Sequence, residues 1–338
     1  MFNTRSYALI KNSEGNLVYG EGPFTFCDEP PSSGVSFYLN NYDLTKKEPW
    51  LVPNSWRIIT RNDLTKIEED NSKKLSWNDP SILSFEKQFN DIKHSINEGG
   101  LKKTVPVVTS NAEHEDLESL FKSLIMKGAY NDSPSYLYAF RNENKAFVGL
   151  SPEVLFEMDK TSIRTMALAG TSAETNISDF IIDKKEELEH RIVVESLRRR
   201  LCRYGAISES EKSAHNLGGI LHFLTHIKVM LKHEVSISEV LKQIHPTPAV
   251  GTVPRVEKNI IQLNEFRENS LTPEFFAAPF GIKHDDSFFY FIMSRGLFSD
   301  NNILSLPTGC GITKNSVLED EWDELALKRH WVKNAFDL

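Results

Sequence analysis

Apolar residues between Tyr7 and Thr60 come in short runs separated by turn formers: Tyr7-Ala8-Leu9-Ile10 before Asn12 and Gly15, then Leu17-Val18-Tyr19, Ser36-Phe37-Tyr38-Leu39 and Trp56-Arg57-Ile58-Ile59-Thr60. Such runs predict strands, and Asp28-Glu29-Pro30-Pro31-Ser32-Ser33-Gly34 between them is a breaker cluster. After Asn78-Asp79-Pro80, read as a helix cap with proline in the first turn, the period lengthens. Phe85, Phe89, Ile92 and Ile96 recur at helical spacing until Gly99-Gly100 stops them. Residues 101–108 then predict a strand, and Leu117, Leu120, Phe121 and Leu124 form the apolar stripe of a second helix over 117–125. Runs at 135–140, 145–150, 154–158 and 162–168 read as strands before Gly170-Thr171. The acidic stretch 184–189 opens a helix that runs to Arg203 with Ile192, Val193, Leu197 and Leu201 on one face. A strand and a helix fill 219–243. From there strand alternates with loop up to a terminal helix from Glu319 to about Asn334.

Strands and helices mix without strict βαβ alternation and without an internal repeat, which predicts an α+β fold with large sheets. At roughly 100–200 residues per domain, a 338-residue chain has room for two domains. No glycine- or serine-rich linker divides it, so a single domain over 1–338 is expected. Composition is ordinary globular, with 40% hydrophobic and 25% charged residues. The balance of 39 Lys+Arg against 47 Asp+Glu gives a net charge of −8, and no run of five or six like charges occurs. That argues against a nucleic-acid surface, and Arg198-Arg199-Arg200 is too short to change it. No apolar run approaches the ~18 residues of a membrane span, and the start of the chain lacks the apolar core of a signal peptide. A cytoplasmic protein with no membrane partner is the expectation. Cys27, Cys202 and Cys310, odd in number and far apart, fit reduced thiols rather than disulfides or a zinc site.

Two acid pairs stand out. Glu186 and Glu189 lie three apart on one predicted helix, and Glu321 and Glu324 repeat the spacing near the C-terminus. Like charges so placed repel unless a cation lies between them. Hard oxygen ligands of this kind suit Mg²⁺, although the same spacing also describes a solvated helix face.

Further short segments occur in a fixed order: Ser151-Pro152-Glu153, Leu168-Ala169-Gly170-Thr171, Glu189-His190, His245-Pro246-Thr247-Pro248-Ala249-Val250-Gly251, Gly309-Cys310-Gly311-Ile312, and Glu321-Trp322-Asp323-Glu324 with Lys328. Together they resemble the chorismate-utilising enzymes, the family of isochorismate, salicylate, anthranilate and aminodeoxychorismate synthases. The resemblance covers about residues 77–338 and leaves 1–76 as divergent N-terminal strands. It implies a mixed α/β catalytic domain of antiparallel sheets flanked by helices, with chorismate as substrate and Mg²⁺ as cofactor. By the same resemblance Glu189 and Glu321 are direct metal ligands, and Glu186 and Glu324 an outer pair. Glu153 becomes the general acid that protonates the departing C4 hydroxyl. That role needs a neutral carboxyl near neutral pH, hence partial burial.

Lys103 selects the branch. Isochorismate and salicylate synthases carry a lysine in the matching segment as the base that activates water for attack at C2, whereas the aminating enzymes have glutamine there. Lys102 is the competing register, and Thr104, Pro106 and a missing arginine at the segment's end depart from the pattern. The resemblance further assigns Arg295 to the side-chain carboxylate, which a guanidinium can grip in a bidentate fork. Gly309 offers a backbone N–H to a carboxylate, and Lys328 completes that site, although Glu324 and Lys328 are also spaced as an ordinary surface pair. Gly170 and Thr171 line the ring-hydroxyl side and Ala249 the ring face. His190 and His245 are expected to order the surrounding acids rather than bind metal. Ser294 and Cys310 are departures, with Cys310 read as a packing residue. Phe276 stands where salicylate synthases carry tyrosine, which favours stopping at isochorismate. The resemblance thus implies an Mg²⁺-dependent isochorismate synthase (an isomerase) serving menaquinone or siderophore biosynthesis, with no glutaminase subunit. The alternatives are a salicylate synthase that also eliminates pyruvate, an aminating synthase, and a non-catalytic chorismate-binding relative.

Overall fold

The first strand, Tyr7–Lys11, buries four consecutive residues because it is covered on both faces. Ala8 and Ile10 enter one hydrophobic core, and Tyr7 and Leu9 enter another on the opposite side. The two-residue period of a strand therefore yields a continuous apolar run when both faces are packed. The same division recurs in Tyr136–Asn142, where Tyr138 and Phe140 join the first core and Leu137 and Ala139 the second.

The computed structural model describes residues 6–64, 75–173 and 177–338. The first five residues, on which the expectation about the start of the chain partly rests, lie outside the described residues. Two antiparallel sheets pack face to face. One has eight strands, in the order Ser55–Ile59, Leu17–Glu21, Tyr7–Lys11, Tyr136–Asn142, Lys145–Ser151, Gly296–Asp300, Ile303–Gly309 and Val107–Glu113. The other has ten strands, and its long partners Ser162–Ala173 and Ile220–Leu231 lie side by side near one edge. The core shared by the two sheets is rich in aromatic contacts, such as Phe147 against Phe280 at 5.3 Å between ring centroids. Helices Leu117–Tyr130 and Leu318–Ala335 cover the outer face of the first sheet. Helix Lys184–Leu201 lies along Ser162–Ala173 and Ile220–Leu231 of the second. The α+β expectation with antiparallel sheets and flanking helices holds. Strands from the divergent N-terminal segment sit in both sheets.

Three local expectations are corrected. Helix Ile82–Asn97 is capped by Ser81, whose side chain accepts from Ser84 N, and not by Asn78-Asp79-Pro80. The strand expected over 101–108 begins only at Val107, because Pro106 has no N–H to donate; Lys103 and Thr104 instead form isolated bridges to Val253 and Ile312. The stretch read as strand and loop after 243 contains a helix, Glu257–Asn269. Its buried face includes Asn259 and Arg267, so the polar–apolar pattern does not show it. Among the described residues no helix is long and apolar enough to cross a membrane.

Candidate active site

Two helix starts bring the acid pairs together. Helix Lys184–Leu201 is capped by Asp183, whose carboxylate accepts from Lys185 N and Glu186 N. Its buried face carries Glu186, Glu189 and His190 on the first turns, followed by Val193, Leu197 and Leu201. The apolar residues anchor the helix to the sheet and thereby carry two carboxylates into the interior. Helix Leu318–Ala335 does the same with Glu321, Glu324, Leu325, Lys328 and Val332.

Each of these carboxylates meets a lysine. Lys103 Nζ is 2.8 Å from Glu189 Oε1. Lys328 Nζ is 2.5 Å from Glu324 Oε1 and also donates to Gly309 O at 2.8 Å. Lys185 Nζ bridges the helices, 2.9 Å from Glu186 Oε1 and 2.8 Å from Glu321 Oε1. Glu186 further accepts from Thr171 N at 2.6 Å. Burial separates the two candidate lysines, since Lys102 is exposed while Lys103 is 0% exposed. Gly311 makes room for this pair. A Cβ there would lie 2.6 Å from Lys103 Cε and nearer still to Glu189 Oε1. Gly170 adopts φ +78°, and a Cβ would stand 2.9 Å from Glu186 O, so both steric terms favour glycine.

Burial, with Glu189 and Glu324 close by, pushes the Glu186 carboxyl above the usual range, and burial with Glu324 does the same to Glu321. Glu324 goes the other way. Burial works to raise it, but the Lys328 and Lys185 ammoniums outweigh that and hold it below. Glu189 Oε2 and Glu321 Oε2 are buried with no hydrogen-bond partner among the described residues. Two carboxylates with spare oxygens, beside two more carboxylates, are the donor chemistry of a hard divalent cation. Among the described residues, however, no three His, Cys, Asp or Glu side chains already converge closely enough to hold an ion.

A small cavity of about 50 Å³ opens beside this cluster and is lined by Glu153, Gly170, Thr171, Glu189, Ala249, Arg295, Gly309 and Lys328. Glu153 follows the turn at Ser151, whose hydroxyl donates to Ile292 O at 2.5 Å and fixes this segment against its neighbouring strand. Thr247 Oγ1 donates to Glu153 Oε1 at 3.2 Å. Burial pushes the Glu153 carboxyl up to about 7, although the Thr247 bond and the Lys103, Arg295 and Lys328 charges all work against the rise.

Arg295 faces the cavity from the far side. Its carbonyl is held by Tyr138 OH at 3.1 Å and by Leu150 N at 3.0 Å, while its Nε has no hydrogen-bond partner among the described residues. Burial lowers its guanidinium to about 10, so it remains charged at neutral pH. His222 also lines the cavity, and no motif in the sequence marks it. Its Nδ1 donates to Gly170 O at 2.7 Å, which leaves Nε2 to accept from Arg295 Nη2 at 3.4 Å. Burial and the neighbouring Arg295 lower it to about 3, so it is a neutral acceptor. A histidine in the middle of a twelve-residue strand carries no spacing signal, and only the fold sets it against Arg295. Lys185, between Lys184 and Glu186 in sequence, likewise carries no spacing signal.

His190 and His245 stand elsewhere than expected. His190 Nε2 lies 2.9 Å from Thr225 Oγ1, and His245 Nε2 donates to Tyr42 O at 2.7 Å. Neither ring is hydrogen-bonded to an acid of the cluster; His245 anchors the turn that carries Thr247. Phe276 and Ser294 line the cavity. Cys310 is fully buried, and burial beside Glu321 and Glu324 raises its thiol well above the usual range, which suits packing and not nucleophilic attack.

Residues 41–336 match the family described as chorismate binding enzyme. The chain belongs to that family. Within it, the chain is 29% identical to isochorismate synthase MenF of Bacillus subtilis, over 95% of this chain and 74% of the relative. It is 26% identical to anthranilate synthase component 1 of Aeropyrum pernix, over 91% of this chain and 79% of the relative. The solved structure of the menaquinone-specific isochorismate synthase MenF from Escherichia coli superposes with a TM-score of 0.80 at 18% identity, over 98% of this chain and 89% of that one, and shares the fold. Both isochorismate synthases and anthranilate synthase components thus stand among the relatives of this chain.

Proposed function

We propose that this chorismate-binding enzyme is an isochorismate synthase dependent on Mg²⁺. The observation that carries the reading is the fully buried Lys103, paired with the cavity residue Glu189, together with Glu153 in the same cavity lining and with a carboxyl near neutrality. An aminating enzyme has no use for a lysine base at this place. Lys103 takes a proton from water as the water oxygen bonds to C2, the ring double bonds shift, and the C4–O bond breaks as Glu153 gives its proton to the leaving hydroxyl. One water enters and one leaves, so the substrate is isomerised. Bonds of similar type are made and broken, and the equilibrium should lie near unity; a downstream enzyme must draw the product away.

The substrate is a dianion. Arg295 takes the side-chain carboxylate through its unpaired Nε and its outer nitrogens, with His222 steadying the guanidinium. Gly309 and Lys328 border the other carboxylate, Gly170 and Thr171 the ring hydroxyl, and Ala249 the ring face. Glu189 and Glu321 hold Mg²⁺, with Glu186 and Glu324 in support, and the unpartnered buried oxygens of Glu189 and Glu321 favour this assignment. Bound there, the ion supplies positive charge for the ring carboxylate of the substrate. Phe276, a residue with no hydroxyl, favours release at isochorismate. The product would serve menaquinone or siderophore biosynthesis, the two settings the resemblance implies.

The test is incubation of the purified chain with chorismate and Mg²⁺, followed by chromatographic separation of products. Isochorismate without pyruvate supports the reading. Stoichiometric pyruvate with fluorescent salicylate, ammonia-dependent amine formation, or unchanged chorismate each overturns it.

A further inference from the structure

Lys185 occupies an unusual place for a residue beside an acid on one helix. Neighbours in a helix point about 100° apart and do not face each other. Yet the Lys185 side chain turns back so that its ammonium lies 2.9 Å from Glu186 Oε1, and it also reaches Glu321 Oε1 of the other helix at 2.8 Å. Glu321 is 0% exposed, while Lys185 keeps 18% of its side chain open to solvent. The lysine is therefore the most accessible member of the cluster, with a route outward that the acids lack. Lys103 and Lys328 are committed to Glu189 and Glu324, so Lys185 is the cation that neutralises the remaining two carboxylates.

We infer that Lys185 is a tethered cation that fills the ion position between Glu186 and Glu321 in the metal-free enzyme and swings to solvent when the divalent ion enters. This rests on the metal reading given above. Without a metal, four carboxylates brought together by two helices would repel, and an ammonium on a flexible stem relieves the repulsion without fixing the geometry. Among the described residues no three acids yet converge to hold an ion, and the Lys185 ammonium stands between the Glu186 and Glu321 oxygens. A site closed by its own cation binds metal more weakly in proportion to the fraction of molecules in which it is open.

The test uses the full-length chain stripped with EDTA and Mn²⁺ alone as the probe, free Mn²⁺ being read by electron paramagnetic resonance. Lys185→Met should bind Mn²⁺ about tenfold more tightly than wild type, and in EDTA it should melt at a lower temperature. Those opposite signs would not come from a residue that merely supports the fold. Lys184→Met removes the same charge from an exposed neighbour and should stay within about twofold of wild type. Lys185→Arg, which keeps a cation in place and the fold intact, should bind no more tightly than wild type. Equal or weaker binding by Lys185→Met, or equal tightening in Lys184→Met or Lys185→Arg, overturns the inference while leaving the metal site standing. Absence of Mn²⁺ binding to wild type removes the metal reading itself, and this inference with it.

Discussion

Glu153 and Glu324 are the same residue type, and both are buried, at 5% and 7% exposure. Their surroundings drive them apart. Glu153 receives one hydroxyl hydrogen bond, from Thr247, and is pushed up to about 7 by burial. Glu324 has an ammonium at 2.5 Å and is held below the ordinary carboxylate range against the same burial. Partner chemistry, and not depth, decides which acid can give a proton and which stays an anion. The site is built as two halves on this difference, one where every carboxylate has a lysine and one where the acid is left to burial.

The sharpest break of that comparison comes from exchanging acids for amides. Glu153→Gln and Lys103→Ala should each retain the far-ultraviolet circular dichroism spectrum and lose turnover by about 10²–10⁴. Full activity in either removes its assigned role. Glu324→Gln, in the other half, should mainly raise the Mg²⁺ concentration giving half-maximal rate, on the order of 10–100-fold, which a metal titration of the rate measures. Gly311→Ala forces a methyl between Lys103 and Glu189 and should cost about 1–3 kcal/mol in thermal or urea denaturation, as overpacking does.

The smallest effect is in pH dependence. Glu153 must carry a proton to act as acid, so the rate should fall as pH rises through about 7. Its folded value lies above the ordinary 4.5, so the folded protein binds this proton more tightly than the unfolded chain. The stability contribution from Glu153 therefore declines as pH climbs from 4.5 through about 7, and Glu153→Gln should remove that decline in denaturation measured across the range. Thr247→Val deletes the hydrogen bond that favours the ionised form, which should move the alkaline limb of the rate profile to higher pH. A limb that does not move leaves the Thr247 bond without influence on the acid.

Much of this was legible before the fold was known. The spacing of Glu186 with Glu189 and of Glu321 with Glu324 survives as two buried faces, because i, i+3 positions share a helix side wherever the helix is placed. Strands such as Val154–Met158 were readable because four of the five residues are buried and apolar, Glu157 being the exception. What could not be read depends on tertiary approach. Helix Glu257–Asn269 buries Asn259 and Arg267, whose polar groups find backbone carbonyls at Gly100, Pro254 and Phe276, so its inward face is not apolar. His222 becomes informative only when Arg295, 73 residues away, is brought to 3.4 Å. Lys185 reads as surface charge until the second helix delivers Glu321. His190 and His245 drew attention by standing next to motif residues, yet sequence adjacency to Glu189 or to the turn says nothing of which way a ring points.

The two-halves description requires that solvent water be the nucleophile at C2 and that the original C4 hydroxyl depart with the proton of Glu153. Turnover of chorismate in H₂¹⁸O, stopped after a small fraction of conversion and analysed by mass spectrometry, tests this directly. We expect each isochorismate molecule to carry one ¹⁸O, bonded to C2. Isochorismate formed without label would mean that the hydroxyl migrates within the substrate, and would contradict the roles given to Lys103 and Glu153.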